Sequence, residues 1–263
     1  MLTIRALASG SSGNAFLVET PETVILLDAG LGTMTLQRHI RALGIEMAKI
    51  QGIMLTHEHS DHIRGAMPLS TKFRVPLYAT PGTIAALGLA SPHVTALTRE
   101  SRHDFSGLSI TPFTVRHDAA EPVGLLISYG DTQVVLATDV GSVDTATAQW
   151  LAMADLLILD TNHDTTMLRS GPYPEVLKRR IASANGHLSN VQSADAIGEA
   201  ASNGRVRAAW LAHLSETNNS RVIALDTVKM RLAGIVPRIE VVGRHVPSLV
   251  WRSSDRIVQG RLL

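Results

Sequence analysis

The 263-residue sequence contains no cysteine. Disulfides and thiolate metal sites are therefore excluded, and a reducing compartment, the cytoplasm, is the expected setting. Aromatic side chains make up only 4% of the chain, too few for a surface that reads nucleic acid by extensive base stacking. An excess of charge is also missing, since 24 Lys and Arg against 23 Asp and Glu leave a net charge of +1. Contact with a polyanion would have to be a local patch. No apolar run is long enough to span a bilayer, so no membrane association is expected. The first residues, Met1-Leu2-Thr3-Ile4-Arg5, read at once as a strand and lack the apolar stretch of a signal peptide. Length and a hydrophobic content of 45% predict a single domain over residues 1–263 with a sizeable core. No repeat, low-complexity segment or linker-like break interrupts it.

Against this even background one stretch stands out, Leu55-Thr56-His57-Glu58-His59-Ser60-Asp61-His62. Gly52 to Leu55 reads as the end of a buried strand. If the extended backbone continues, His57 and His59 point to one side, because strand side chains alternate. Ser60 suits a helix N-cap, with a short helix from Ile63 to Leu69 behind it and with Asp61 and His62 in its first turn. Ligands from a strand end and a helix start can face a common point. Imidazole and carboxylate are what Zn²⁺ and similar ions take up.

The rest of the chain alternates apolar strands with amphipathic helices. Strands are expected over Leu2 to Leu7, Ala15 to Glu19, Thr23 to Asp28, Pro76 to Ala79 and Leu108 to His117. Others follow at Val123 to Ser128, Gln133 to Thr138, Asp155 to Asp160, Val206 to Ala212, Ile239 to Val242 and Ser248 to Trp251. Ser9-Gly10-Ser11-Ser12-Gly13-Asn14 is either a tight hairpin turn or an anion-binding nest of backbone N–H groups. Chemistry-bearing residues recur at strand ends: Asp28, His57 and His59, His117, Asp139 and His213. Such placement along one rim of a sheet is how α/β folds build active sites. A carboxylate ending a buried strand needs partners, and Asp28 suits the role of orienting a metal-bound histidine from behind. His187 lies near the start of a helix capped by Ser189 or Asn190, a position that favours anions. His39, His93, His103 and His245 have no ligand-type neighbours. They read as ordinary surface or loop residues.

His57, His59, Asp61, His62, His117, Asp139 and His213 are too many ligands for one tetrahedral ion. They suit two ions that share a carboxylate. His57-x-His59-x-Asp61-His62 is similar, residue for residue, to the HxHxDH signature of the metallo-β-lactamase superfamily. That resemblance implies a four-layer αβ/βα sandwich, an α/β (α+β) fold. It also implies a partition of ligands: His57, His59 and His117 on one divalent ion, Asp61, His62 and His213 on the other, with Asp139 bridging. Zn²⁺ is the first expectation, and Mn²⁺ or Fe would also fit the donor set.

Ser9 to Asn14, His117-Asp118-Ala119, Asn162-His163-Asp164, Gly186-His187-Leu188-Ser189-Asn190 and the His213 motif together resemble the YycJ/WalJ group of that superfamily. The group has DNA exonuclease activity. The resemblance implies phosphodiester hydrolysis on DNA by a shared, activated hydroxide. Asp61 would orient or deprotonate the water, and His187 would act on the phosphate. Ser11, Ser12, Asn14, Ser189 and Asn190 would contact substrate, with His163 and Asp28 behind the ligands. The 73 residues between Asp139 and His213 leave no room for the large inserted clamp domain of ribonuclease J. Two other readings stay open. One is a small-molecule hydrolase acting on a thioester, lactone or phosphodiester. The other is a non-catalytic, metal-stabilised regulatory module. Lys178-Arg179-Arg180 either tracks a nucleic-acid backbone or is a solvated helix face. The sequence leaves the oligomeric state open.

Overall fold

The computed structural model of the protein describes residues 1–90, 93–233, 235–236 and 238–256. Two seven-stranded sheets pack face to face. The first holds β1 (Thr3–Ala8), β2 (Ala15–Glu19), β3 (Val24–Leu27), β4 (Ile50–Met54), β5 (Leu77–Ala79), β6 (Val94–Ala96) and, from the end of the chain, β14 (Val250–Arg252). Their order is β14-β1-β2-β3-β4-β5-β6. The second holds β7 (His103–Phe105), β8 (Leu108–Thr114), β9 (Val123–Tyr129), β10 (Thr132–Ala137), β11 (Leu156–Asp160), β12 (Ala208–Ala212) and β13 (Arg238–Val241). These run in the order β13-β12-β11-β10-β9-β8-β7.

Helices cover both outer faces. On the first sheet lie α1 (Thr33–Ala42), α2 (Ser60–Ile63), α3 (Ala66–Phe73) and α4 (Pro81–Ala86). On the second lie α5 (Thr145–Ala152), α8 (Asn190–Asn203) and α9 (Arg221–Leu232), while α6 (Thr165–Ser170) and α7 (Glu175–Ile181) project beside its rim. This is the expected four-layer αβ/βα sandwich. The layering explains the apolar runs. In β11, Leu156 and Ile158 face the first sheet, whereas Leu157 and Leu159 face the helices. Strands covered on both sides have no solvent face on which to place polar residues. Among the described residues no helix is long and apolar enough to cross a membrane.

The parallel pairings decide where the chemistry can sit. β3, β4, β5 and β6 are parallel, as are β10, β11, β12 and β13. Their carboxyl ends bring Asp28, His57, Asp139, Asp160 and His213 to one rim, the edge at which open α/β sheets bind ligands.

Several local expectations need correction. Ser60 is the first residue of α2, and His59 occupies the cap position without a side-chain bond. The helix expected over Ile63 to Leu69 is broken at Arg64-Gly65, because Gly65 passes against the backbone. A Cβ there would meet the Leu31 carbonyl oxygen at 2.5 Å. β8 stops at Thr114, so His117 stands in the loop beyond it rather than at the strand end. His103 opens β7 instead of lying in a loop, and α6 and β6 follow from no sequence signal. The two closing strands belong to different sheets, β13 beside β12 and β14 beside β1.

Gly30 is the tightest point of the rim. Its N–H donates to the Asn14 carbonyl at 2.8 Å, and the Asn14 N–H donates to the Asp61 carbonyl at 2.7 Å. A Cβ on Gly30 would lie 1.6 Å from that Asp61 oxygen. Gly30→Ala should therefore cost more than about 3 kcal/mol or prevent folding. Nothing lies within 4 Å of a Cβ at Gly32, the α1 cap position, so Gly32→Ser should be neutral or slightly stabilising. Urea unfolding of the two variants checks the contrast.

Candidate metal centre and catalytic cleft

Two groups of ligand atoms share the floor of one cleft. In each group the atoms lie within 4.8 Å of one another. His57, His59 and His117 form the first, and Asp61, His62, Asp139 and His213 the second. The two groups adjoin through Asp139: its Oδ2 is 3.0 Å from His62 Nε2, and its Oδ1 is 3.6 Å from His213 Nε2 and 3.7 Å from His117 Nε2. The structure thus brings together all seven residues that the sequence singles out as ligands.

The backbone is bent to put them there. Asp28, Asp139 and His213 all have positive φ, at 54°, 59° and 57°. This left-handed conformation is uncommon for residues with a Cβ, and it concentrates at functional sites. At each strand end it turns the chain so that the side chain reaches the rim.

Hydrogen bonds hold the imidazoles from behind. Asp28 is fully buried and lies 2.8 Å from His62 Nδ1. It also accepts from the Thr56 N–H at 2.9 Å and the Thr56 hydroxyl at 3.0 Å. The Gly186 carbonyl is 3.0 Å from His117 Nδ1. Asn162 donates to the His213 carbonyl at 2.9 Å. Glu58, inside the histidine motif, accepts from the Ala120 N–H and so ties the His117 loop to the motif.

Buried ring nitrogens and carboxylate oxygens without hydrogen-bond partners are costly unless something else binds them. His57 Nε2 and Asp139 Oδ2 are buried and make no hydrogen bond, although the latter lies close to His62. His117 Nε2 faces His59 Nδ1 at 3.2 Å, nitrogen against nitrogen. Such a donor set fits divalent cations.

Electrostatics divide the histidines. Burial pushes the His57 and His117 imidazoles below the usual histidine range. Burial acts on His62 and His213 as well, but carboxylates outweigh it. Asp139 and Asp28 hold His62 well above the usual range, and Asp139 and Asp61 push His213 up to about 9. Burial alone would raise the carboxyl of Asp139, yet the His213 and His62 charges hold it well below the carboxylate range.

His187 stands on the cleft wall, partly exposed. Its Nδ1 is 2.9 Å from Asp160 Oδ2, which also accepts from the Val140 N–H at 3.0 Å. Asp160 is fully buried. In the sequence Asp160 is the last residue of an expected strand and has no role assigned to it. The signal was the one used for Asp28, an acid closing an apolar strand. The cleft itself has a volume of about 330 Å³, walled by Ser11, Asp118, Tyr173 and Arg180. Arg180 pairs with Asp118, whose carboxyl that pairing lowers against the opposing effect of burial.

Of the residues expected to touch substrate, Ser11 lines the cleft and Ser12 lies 3.3 Å from the exposed His245. The others turn inward. Asn14 Oδ1 accepts from the Ser9 hydroxyl and the Gly10 N–H, and its amide is 3.0 Å from His62 Nε2. Ser189 is buried in a capping box with Gln192, and the Asn190 amide donates to Asn219. The Ser9 to Asn14 loop is accordingly a tight, side-chain-braced turn. His163, expected behind the ligands, is buried but bonds to none of them.

The model of the beta-lactamase superfamily domain matches residues 23–214. The chain is 36% identical over 235 residues to the exodeoxyribonuclease WalJ of Streptococcus pneumoniae serotype 2, covering 86% of this chain and 87% of that protein. It is 33% identical over 236 residues to the exodeoxyribonuclease YycJ of Bacillus anthracis, covering 88% and 89%. This chain is a YycJ-like member of the metallo-β-lactamase superfamily. Among solved structures, the metallo-β-lactamase fold protein YhfI from Bacillus subtilis superposes with a TM-score of 0.73 at 19% identity, over 95% of this chain and 98% of that one, and shows the shared fold. Membership, together with the histidine and aspartate clusters, supports binding of divalent metal ions.

Loss of the Asp28 carboxylate should release the His62 ring. Asp28→Ala is expected to weaken divalent-metal affinity by about 10- to 100-fold. Competition against a chromogenic chelator measures it, with circular dichroism to verify folding.

Proposed function

We propose that this chain is a dinuclear metal-dependent hydrolase that degrades DNA from an end. The observation that carries the reading is the pair of ligand groups on one cleft floor, with an Asp160-held histidine on the wall beside them. The names of the two relatives, similar over most of their length, support DNA as substrate. In this reading His57, His59 and His117 would hold one ion and Asp61, His62 and His213 the other, with Asp139 within reach of both groups. The histidine-rich donor set favours Zn²⁺ over Mn²⁺ or Fe. The reading treats the chain as one domain working in the cytoplasm, in keeping with its lack of cysteine.

Divalent ions in such a site supply Lewis-acid stabilisation of charge on a phosphoryl oxygen and an activated water. The chain's own residues do the rest. Asp61, partly exposed beside the cleft and 3.2 Å from His213 Nε2, orients water for attack. Asp160 takes up Nδ1 of His187 and fixes the ring. The remaining Nε2 faces a bound phosphate, where a protonated ring donates to a phosphate oxygen or to the leaving group.

Metal-loaded protein should shorten end-labelled DNA, and EDTA should stop it. His187→Ala and Asp160→Asn should each lower kcat by about 10²- to 10⁴-fold with metal content unchanged. The assay pairs single-stranded and duplex substrates with metal analysis of each variant. Intact DNA in the presence of metal-loaded protein that hydrolyses a small thioester or lactone would sink the nuclease reading.

A further inference from the structure

Of the basic run Lys178-Arg179-Arg180, only Arg180 lines the cleft. α7 stands between two cavities. Leu177, Arg180 and Ile181 line the metal-ligand cleft, whereas Lys178, Arg179 and Ala182 line a second cavity of about 260 Å³. Arg169 and Thr165 of α6 close its other side. The turn after β11 is divided in the same way. Asn162 lines the cleft and His163 lines the second cavity, as successive side chains of an extended segment point to opposite sides.

Three features of the second cavity point to an anion. The first is charge. Arg169, Lys178 and Arg179 face one carboxylate, Glu175, which is already engaged by Lys178 at 3.0 Å. Lys178 Nζ also donates to the Arg169 carbonyl at 2.8 Å. Among the described residues, the exposed guanidinium groups of Arg169 and Arg179 have no carboxylate partner. The second is His163, which is 2% exposed and whose Nδ1 has no hydrogen-bond partner. A buried polar nitrogen without a partner is uncommon and calls for a ligand or water. Burial keeps this ring neutral near pH 7, with its pKa lowered to about 4, so it can donate one N–H without adding charge. The third is continuity. Arg180, paired with Asp118, lies on the cleft side of the wall and Arg179 on the other, so adjacent guanidinium groups join the two cavities across α7.

We propose that the second cavity is a phosphate subsite for the DNA strand whose scissile bond lies in the cleft. Arg169 and Arg179 bind the oxygens of a backbone phosphate beyond that bond, and His163 donates to it from the buried side. Planar guanidinium groups match phosphate oxygens well. This subsite rests on the nuclease reading. It adds to that reading a grip on longer strands that small esters and dinucleotides cannot use.

The test compares wild type with the double variant Arg169→Gln/Arg179→Gln, two exposed positions without a carboxylate partner among the described residues. Fluorescence anisotropy in EDTA measures binding of a labelled single-stranded 12-mer and of a dinucleotide across a salt series. Hydrolysis of bis(4-nitrophenyl) phosphate by the metal-loaded proteins serves as the control. The double variant should bind the 12-mer about tenfold more weakly at low salt. Its plot of log affinity against log salt should flatten by about 0.7 per lost phosphate contact. Dinucleotide binding and ester hydrolysis should match wild type. A double variant with wild-type 12-mer affinity and salt slope overturns the subsite alone. A wild-type protein that hydrolyses the ester but neither binds nor cuts DNA overturns the nuclease reading, and the subsite with it.

Discussion

Three carboxylates without solvent hold the rim together. Asp28, Asp139 and Asp160 each follow or end an apolar strand, and none is more than 2% exposed. A buried carboxylate without partners would be neutralised or would unfold its surroundings. Here each has imidazole within reach: His62 for Asp28, His187 for Asp160, and His62, His117 and His213 around Asp139. The histidines need these acids for orientation, and the acids need the histidines for charge. The packed sheets supply the dry setting that makes both demands strong.

The same logic appears twice, once in each sheet. Asp28 accepts a backbone N–H from the neighbouring strand end at Thr56, and Asp160 accepts one at Val140. Each then presents its second contact to a histidine. One histidine, His62, is fully buried and belongs to the ligand cluster, whereas His187 is partly exposed on the wall.

Most of this was legible in the sequence, for a physical reason. Doubly covered strands leave unbroken apolar runs such as Leu156 to Leu159, and their ends are marked by the acids and histidines that face the rim. All seven ligand candidates could be picked out from that pattern. What could not be read depends on contacts between distant segments. The break at Gly65 follows from its approach to Leu31, and the inward turn of Asn14 follows from its bonds to Ser9, Gly10 and the His62 ring. Ser189 and Asn190 looked like substrate contacts beside His187, but helix capping and Asn219 claim them. The division of the basic run by α7, with Arg180 on one side and Arg179 on the other, was equally invisible before the two cavities were seen.

The central claim is that one buried carboxylate, Asp139, joins two metal positions. Anomalous diffraction from crystals of the metal-loaded chain tests it most directly. Two peaks are expected, one among His57, His59 and His117 and the other among Asp61, His62 and His213, with an Asp139 oxygen coordinated to each. A single peak, or two peaks of which neither contacts Asp139, would contradict the account.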